Sequence, residues 1–574
     1  MLTSWEKTDF RLPVVCVGGS PFRFRKSWIA PEWNSSVFQM NDEGITSNDL
    51  RPSKSDYLRW SIPSIVLAVV SMLLIGYSTL VVEPRIQHRY EQMRDQNFAT
   101  LEISLNDLPV RNSRWTVQDN LRHERLLVET SLCLRRLTLW NPENDSIRFQ
   151  SAIISVSKAE YYLNLAYEIL STDPQSDQIG MMTGKSQAEM RKALDAMRKV
   201  LTMNGAFAAR ANLWIAWQKL DDNLDMPFAD LAAIEQSVRS LVADASVHAI
   251  AKRTLGKILV EKSLRVSVDL DAEDRLLLLT EANEYFRAEP PSVLRDVAWA
   301  AEAKTAVDPV FGQEIAWKAS QNFWDSPESD SYLPETIAAA FDCLVMAGSI
   351  KEAQSFLIKR LQNGVPFDQL TLRKKLAAVC LRSVVSNVLF PKPTSASNDS
   401  RNSTLIAMAV QLYPESPELL TLLEKMAKDG DDLWSVGVRK EIVNGEDVGL
   451  KQLMSVIDDF SNSRTAAALN SFGKLTQVSP AFGVVASKLA LRRSEIQSSP
   501  IEPLIEMLRE INRSSPEIFV VWQDRATLHL KLKQFEEAIE CLEYLKQKMP
   551  ENEDVIDSIE AIGKSRPGPN SSDH

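Results

Sequence analysis

A chain of 574 residues is too long for one hydrophobic core, so it contains either several domains or an array of repeats. Its 19 glycines are few, and a 44% share of hydrophobic residues, rich in Leu and Ala, favours stacked helices over sheet. The formal net charge of −11 arises after residue 83, because the first 83 residues hold eight basic and eight acidic side chains, and this acidic body argues against a nucleic-acid partner.

The N-terminal tail, residues 1–59, shows neither a helical nor a strand period and is interrupted by prolines and glycines. Such a segment cannot bury enough apolar surface to fold, so we expect it to be disordered. Two translation starts stay open, Met1 and Met40. From Met40, a short basic region would directly precede the next, strongly apolar segment, as in a signal anchor.

An uncharged apolar run, Trp60–Val82, follows this tail and is bounded by Arg59 and Glu83. As a helix rising about 1.5 Å per residue it would measure roughly 34 Å, enough for a hydrocarbon core of about 30 Å. A buried helix of a soluble core would normally be shorter and keep a polar stripe. The run therefore predicts a single-pass transmembrane helix, and its length indicates an uncleaved signal anchor.

The sidedness of this span rests on basic residues. Arg51, Lys54 and Arg59 before the span are matched by three arginines within the next 12 residues after it. The more distant cluster at residues 23–26 favours a cytoplasmic tail. We therefore expect a cell (inner) membrane protein whose large C-terminal domain lies on the extracytoplasmic side.

The remainder of the chain reads as amphipathic segments of about 12 to 16 residues separated by short breaks. We predict only helices and no sheet in this region. The predicted divisions are a juxtamembrane stalk at 83–119, helical repeats at 120–390, a polar loop at 391–403, further repeats at 404–551, a capping helix at 552–563 and a disordered tail at 564–574. The polar loop is a possible hinge between two stacks.

The clearest repeat unit is residues 521–552, VWQDRATLHLKLKQFEEAIECLEYLKQKMPEN. Its first helix places large, small and large residues on one face, and its second helix carries a facing apolar stripe before a terminal proline. These residues are Trp522, Ala526 and Leu530, then Phe535, Ala538, Leu542 and Leu545, and finally Pro550.

This unit resembles the tetratricopeptide repeat (TPR) family, and the span suggests a membrane-anchored, bacterial member. Arg525, Lys533 and Leu545 depart from the family pattern, which usually has Leu, Gly and a small residue there. The resemblance implies an all-α, TPR-like α-solenoid, a right-handed superhelix of helix pairs. It also implies a concave groove that binds a protein or peptide.

Breaks at related spacings extend this pattern along the chain. Pro516 and Pro480 precede Pro550 at steps of 34 and 36 residues. Near the start, breaks at Pro142, Pro174 and Gly205 suggest the same junction between helix pairs. Between 205 and 414 the spacing is wider, so the repeat register and count there stay open; the breaks in this part are Ala245, Pro290, Pro327 and Pro366.

No arrangement of residues predicts catalytic, cofactor or metal chemistry. The chain has only five histidines and none of the common metal, phosphate-binding or nucleophile motifs, and His529 reads as a packed or surface side chain of a repeat helix. The cysteines read as buried free thiols rather than disulfides, because most lie in apolar helical runs. They are Cys16, Cys133, Cys343, Cys380 and Cys541.

Aromatic and amide residues offer few binding candidates. Trp214 and Trp217 lie three residues apart on one helical face, a spacing more typical of core than of a ligand platform. Asn212 is one isolated candidate for holding a peptide backbone. The binding residues of the groove are therefore unknown from sequence.

Together these features predict a non-enzymatic, membrane-anchored scaffold or assembly factor with a protein partner. Lipid contact is expected through residues 60–82, with no nucleic acid and no small-molecule substrate. The alternative is a helical subunit or superhelical domain of an envelope enzyme, such as a lytic transglycosylase. That alternative needs a compact catalytic domain, and no non-repetitive segment of sufficient length follows the span.

Overall fold

The computed structural model describes residues 54–101, 103, 117–173, 176, 178–222, 226–291, 294–325, 334–362, 369–390, 401–427, 433–445, 447–462, 464–497, 501–516, 518–548 and 553–565. The predicted disordered tails lie almost wholly outside this range, and so does most of the predicted polar loop. Every element in the described residues is helical. The chain divides into two units, one ending at Asp95 and the other continuing from Gln96.

The first unit is an uninterrupted helical run that contains the predicted span. It consists of α1 (Lys54–Tyr77), a π-helical turn (Ser78–Val82) and most of α2 (Glu83–Thr100), whose last residues, from Gln96, belong to the second unit. From Ile65 to Leu80 its large apolar side chains are exposed. This helix is long and apolar enough to cross a membrane.

The second unit begins with three long helices rather than short pairs: α3 (Val117–Trp140), α4 (Asp145–Thr172) and α5 (Gln178–Met203). The sequence breaks at Pro142, Pro174 and Gly205 therefore separate single helices, and the expectation that they separate helix pairs is wrong. No glycine or proline interrupts α4, so nothing ends it midway. Asn144 begins α4 by accepting a hydrogen bond on its Oδ1 from the Ile147 N–H at 3.1 Å.

Nine successive helix pairs follow in the described residues. They are α6 (Ala208–Asp222) with α7 (Phe228–Leu241), α8 (His248–Leu264) with α9 (Ala272–Ala288), α10 (Leu294–Val307) with α11 (Pro309–Trp324), α12 (Pro334–Met346) with α13 (Ile350–Gln362), α14 (Gln369–Leu389) with α15 (Arg401–Leu412), α16 (Pro417–Ala427) with α17 (Leu433–Asn444), α18 (Val448–Ser461) with α19 (Thr465–Val478), α20 (Pro480–Gln497) with α21 (Glu502–Ser514), and α22 (Phe519–Lys531) with α23 (Phe535–Lys548). The chain ends in α24 (Glu553–Ser565).

The two helices of each pair pack together, and each pair packs on the next. The unit is thus a TPR-like α-solenoid, as the sequence predicts. The widely spaced breaks between 205 and 414 each fall between two pairs, so the register that the sequence left open is regular. Their spacing exceeds 34 residues because several helices and connections here are longer than in a standard repeat.

The predicted polar loop does not separate two stacks. Residues 401–403 are already the first turn of α15, and α15 packs against α14. One hydrophobic core continues from Leu213 in α6 to Leu528 in α22, on both sides of residues 391–400. The repeats before and after this segment therefore share a core, and the hinge expectation is wrong.

The C-terminal repeat matches its sequence pattern closely. Ala538 is fully buried where α23 packs on α22. Lys533, at the turn where TPRs usually have glycine, adopts the left-handed backbone with φ of 59°. Val555 and Ile562 of α24 are buried against the same cluster, and the helix runs two residues beyond Gly563.

Candidate functional site

The first helices of successive pairs form an inner layer in the middle of the solenoid. The helices α6, α8, α10, α12 and α14 each contact the next one in this series. In addition, α8 contacts α14 directly although two pairs lie between them in sequence. The layer therefore curls so tightly that polar residues from four of its helices meet.

Arg382 of α14 is the centre of this meeting point. Its guanidinium donates to Asp342 of α12 at 3.0 Å, and to Glu302 of α10 and Glu261 of α8 at 3.4 Å each. All four side chains are buried. Glu261 also accepts a hydrogen bond from Arg265 at 2.9 Å. One cation thus joins four helices through three carboxylates.

The carboxylates of this cluster differ in charge. Burial raises the pKa of Glu302 to about 8 and that of Asp342 to about 6, although Arg382 opposes both shifts. The pKa of Glu261 is lowered: burial opposes ionisation, but Arg265 and Arg382 outweigh it. Arg265 shares the compensation of Glu261, whereas Glu302 and Asp342 depend on the one guanidinium of Arg382, so burial favours the protonated form of Glu302.

Cationic side chains and tryptophans alternate beside this cluster. The Arg295 guanidinium lies 4.1 Å from the ring centroid of Trp217, and the Arg382 guanidinium lies 4.2 Å from that of Trp299. Lys257 Nζ lies between the two rings, 5.4 Å and 5.6 Å from their centroids. These distances are in the range of cation–π attraction.

A cavity of about 60 Å³ opens between α6, α8, α10, α12 and α14 next to these side chains. Alanines and Trp299 form its apolar walls. Four cationic groups line it against three carboxylates: Lys257, Arg295, Lys375 and Arg382 against Glu261, Glu335 and Asp342. Lys375 and Glu335 pair with each other at 3.4 Å. We call this cavity with its lining the inner pocket.

The inner pocket presents charged and aromatic groups that can bind an anion. The nearby thiols of Cys343 and Cys380 are fully buried, and burial raises the pKa of each, so they are protonated and unreactive. Cations stacked on aromatic rings beside an apolar wall suit an anionic group with an attached hydrophobic part. A second cavity, of about 30 Å³, lies on the other side of Glu261 and Arg382.

The residues that the sequence singled out as possible binding or packing residues have different surroundings in the structure. Trp214 is fully buried in the core between α4, α5 and α6, as expected of a core residue. Trp217 instead belongs to the cation–tryptophan stack. Asn212 donates from Nδ2 to the Ser237 hydroxyl at 2.8 Å, so its amide joins α6 to α7. His529 is packed, with its Nδ1 2.7 Å from Gln534 Oε1.

The thiols in the described residues agree with the sequence prediction. Cys133, Cys343, Cys380 and Cys541 are all buried and free, whereas Cys16 lies outside the described residues. The residues of the inner pocket were not identified from sequence. Their only sequence signal is a charged residue in an otherwise apolar helical stretch, such as Asp342 in IAAAFDCLVM.

Two solved structures resemble the chain only distantly. The crystal structure of the APC/C hetero-tetramer Cut9–Hcn1 is 12% identical over 84% of this chain and 94% of that chain, with a TM-score of 0.27. The structure of Naa15/Naa10 bound to HypK-THB is 13% identical over 78% of this chain and 65% of that chain, with a TM-score of 0.18. No protein-family model and no curated protein matches the chain. The evidence for a repeat architecture is therefore the succession of helix pairs in the structure.

Proposed function

We propose that this protein is a non-enzymatic scaffold, anchored in a membrane by residues 60–82, that binds a protein partner at the inner pocket. The observation that carries this proposal is the excess of cationic groups over carboxylates in a cavity with an apolar wall. A partner that inserts an acidic side chain there would meet fixed cations in a medium of low dielectric constant. Solenoids bind partners on such inner surfaces.

The rigid support of the pocket favours binding over catalysis. Each cation is held by a ring or a carboxylate on a neighbouring helix, so little side-chain freedom remains to be lost on association. The single guanidinium of Arg382 links the helices that form the walls. A pocket preorganised in this way recognises one charge pattern rather than many.

Charge variants test the binding site. We expect Arg295→Gln to weaken capture of the partner on the order of tenfold, because a charge-assisted contact is lost. Arg287→Gln on α9 is the matched control, since the Arg287 side chain is 78% exposed. The measurement is quantitative mass spectrometry of proteins cross-linked to the full chain in native membranes. Capture of the same proteins in equal amounts by both variants would contradict the proposed site.

The anchor is tested independently of the partner. The full chain should stay with membranes during alkaline carbonate extraction, because about 20 apolar residues are costly to leave in water. Release into the supernatant would refute the anchor. For the proposed extracytoplasmic position, protease added after the outer barrier is opened should digest the repeats, whereas complete protection until the inner membrane is lysed would reverse the orientation.

A further inference from the structure

The first solenoid helix, α3, carries an exposed apolar stripe that no other described residue covers. Val128, Leu132 and Leu139 are 42%, 56% and 69% exposed. Their spacings of four and seven residues bring them to one side of the helix. The opposite side, which includes Leu127, Leu134 and Leu137, is buried.

Arginines flank this stripe. Arg125, Arg135 and Arg136 are exposed on the same side of α3, and Arg122 is exposed at the edge of this side. Glu124 and Glu129 are the acidic residues beside them, and Glu129 accepts a hydrogen bond from Arg125 at 2.8 Å. In a chain with a net charge of −11, this face is locally cationic. An apolar stripe between arginines is the pattern of a helix that lies in a membrane interface.

The predicted span and α3 lie close together along the chain. Thirteen residues, 83–95, lie between Val82, where the apolar span ends, and Gln96, where the solenoid unit begins. As a helix these would cover about 20 Å. Ile103 then packs against the N-terminal core of the solenoid, and Phe98 and Leu101 are buried. Only residues 83–116 lie between the apolar span and α3, so the length of this segment limits how far α3 can be from a membrane that the span would enter.

We propose that the exposed face of α3 docks on an anionic lipid surface as a second membrane contact. The aliphatic side chains would enter the acyl boundary and the arginines would bind lipid phosphates. Charge complementarity favours this occupant over a second copy of the chain, because two such arginine-rich faces would repel each other. The inference rests on the proposed anchor and is independent of the inner pocket.

A fluorescent probe at the stripe tests this proposal. The full chain carrying Cys16→Ser and Leu132→Cys is labelled with an environment-sensitive fluorophore and inserted, one copy per disc, into lipid nanodiscs containing brominated acyl chains. We expect quenching to rise by at least about twofold when neutral phosphatidylcholine is replaced by a mixture with about 30% phosphatidylglycerol, since each arginine gains attraction to the surface. A probe at Ile358→Cys on α13, where the native side chain is 54% exposed, is the control and should not respond.

Two further measurements distinguish a lipid surface from a second copy of the chain as the partner of this face. Arg125→Gln with Arg135→Gln and Arg136→Gln should abolish the response, and so should high salt, which screens exposed charges while leaving the arginines unaltered. A chain that fails to enter the discs would refute the anchor itself. A chain that enters them but shows equal quenching in both lipids would overturn this inference alone. An apolar environment of the fluorophore that appears only with two copies per disc would assign the face to a second copy of the chain. An apolar environment that is already present in detergent would assign the face to another segment of the chain. Either result would likewise overturn the inference.

Discussion

Glu302 is a buried acid next to Asp342, Glu261 and the Arg382 guanidinium, and its pKa is about 8. Because this pKa lies above the ordinary value of 4.5, the folded protein holds the proton more tightly than the unfolded chain. The contribution of this group to stability is therefore complete at about pH 4.5 and decreases as the pH rises towards 8.

Replacing this acid by its neutral isostere should remove that pH dependence. We expect the melting temperature of Glu302→Gln relative to wild type to increase steadily between about pH 5 and pH 8, because the variant has no proton to lose. The difference should correspond to a few kcal/mol at most. Glu284→Gln, at an exposed position of α9, controls for loss of a carboxylate. A difference that does not change with pH would show that Glu302 is ionised in the folded state.

Arg382 should be the most sensitive charged residue of the solenoid. Arg382→Met leaves three carboxylates without their shared cation, so we expect a loss of about 3–5 kcal/mol in the free energy of unfolding, measured by urea denaturation. Adding Glu302→Gln and Asp342→Asn to this variant should restore part of the loss, since the remaining uncompensated charge is removed. A loss below about 1 kcal/mol, the size seen for surface pairs, would show that the cluster is solvated.

The residues of this cluster could not be found by scanning the sequence. They come from α8, α10, α12 and α14, and only the curl that brings α8 onto α14 places Arg382 beside Glu261. For the same reason, the sequence could not show that Trp214 and Trp217 have different surroundings. Both residues are buried on α6, but Trp214 packs in the hydrophobic core and Trp217 packs against cations. Buried charge within an apolar run was the one local signal.

At the scale of the helix, sequence reading succeeded where helices are amphipathic and failed where they are long or fully enclosed. The unit at 521–552 was predicted residue by residue because α22 and α23 each have one buried and one exposed face. The residues of α12 are almost all buried, so the polar stripe that normally marks a repeat helix is missing there. In α4, the absence of an internal breaker turned an expected pair into one helix.

The terminal helix α24 gives a test of the repeat array at this scale. Deleting the chain from Asn552 should lower the melting temperature and promote aggregation, because Ala538, Leu542 and Leu545 lose the cover that Val555 and Ile562 provide. Deleting only residues 566–574 should leave the melting temperature unchanged. If both truncations melt alike, α24 does not cap the array.

At the scale of the whole molecule, the chain has a helix long and apolar enough to cross a membrane, and a continuous helical solenoid that contains a cationic pocket. The array could be predicted from the sequence at its C-terminal end, where breaks recur at steps of 34 and 36 residues. The pocket could not, because it depends on how tightly successive pairs wind, and winding follows from many small packing choices at helix contacts rather than from any motif.

Binding of a protein partner at the inner pocket can be detected by site-specific photo-crosslinking in native membranes. A photoreactive phenylalanine analogue is placed in the full chain at Trp299, which lines the pocket, or at Trp317, which is 47% exposed on α11 away from it. Both substitutions exchange one large aromatic side chain for another. We expect one discrete crosslinked protein from position 299 and none from position 317. Crosslinks from position 317 alone, or from neither position while the chain remains in the membrane, would contradict binding at this pocket.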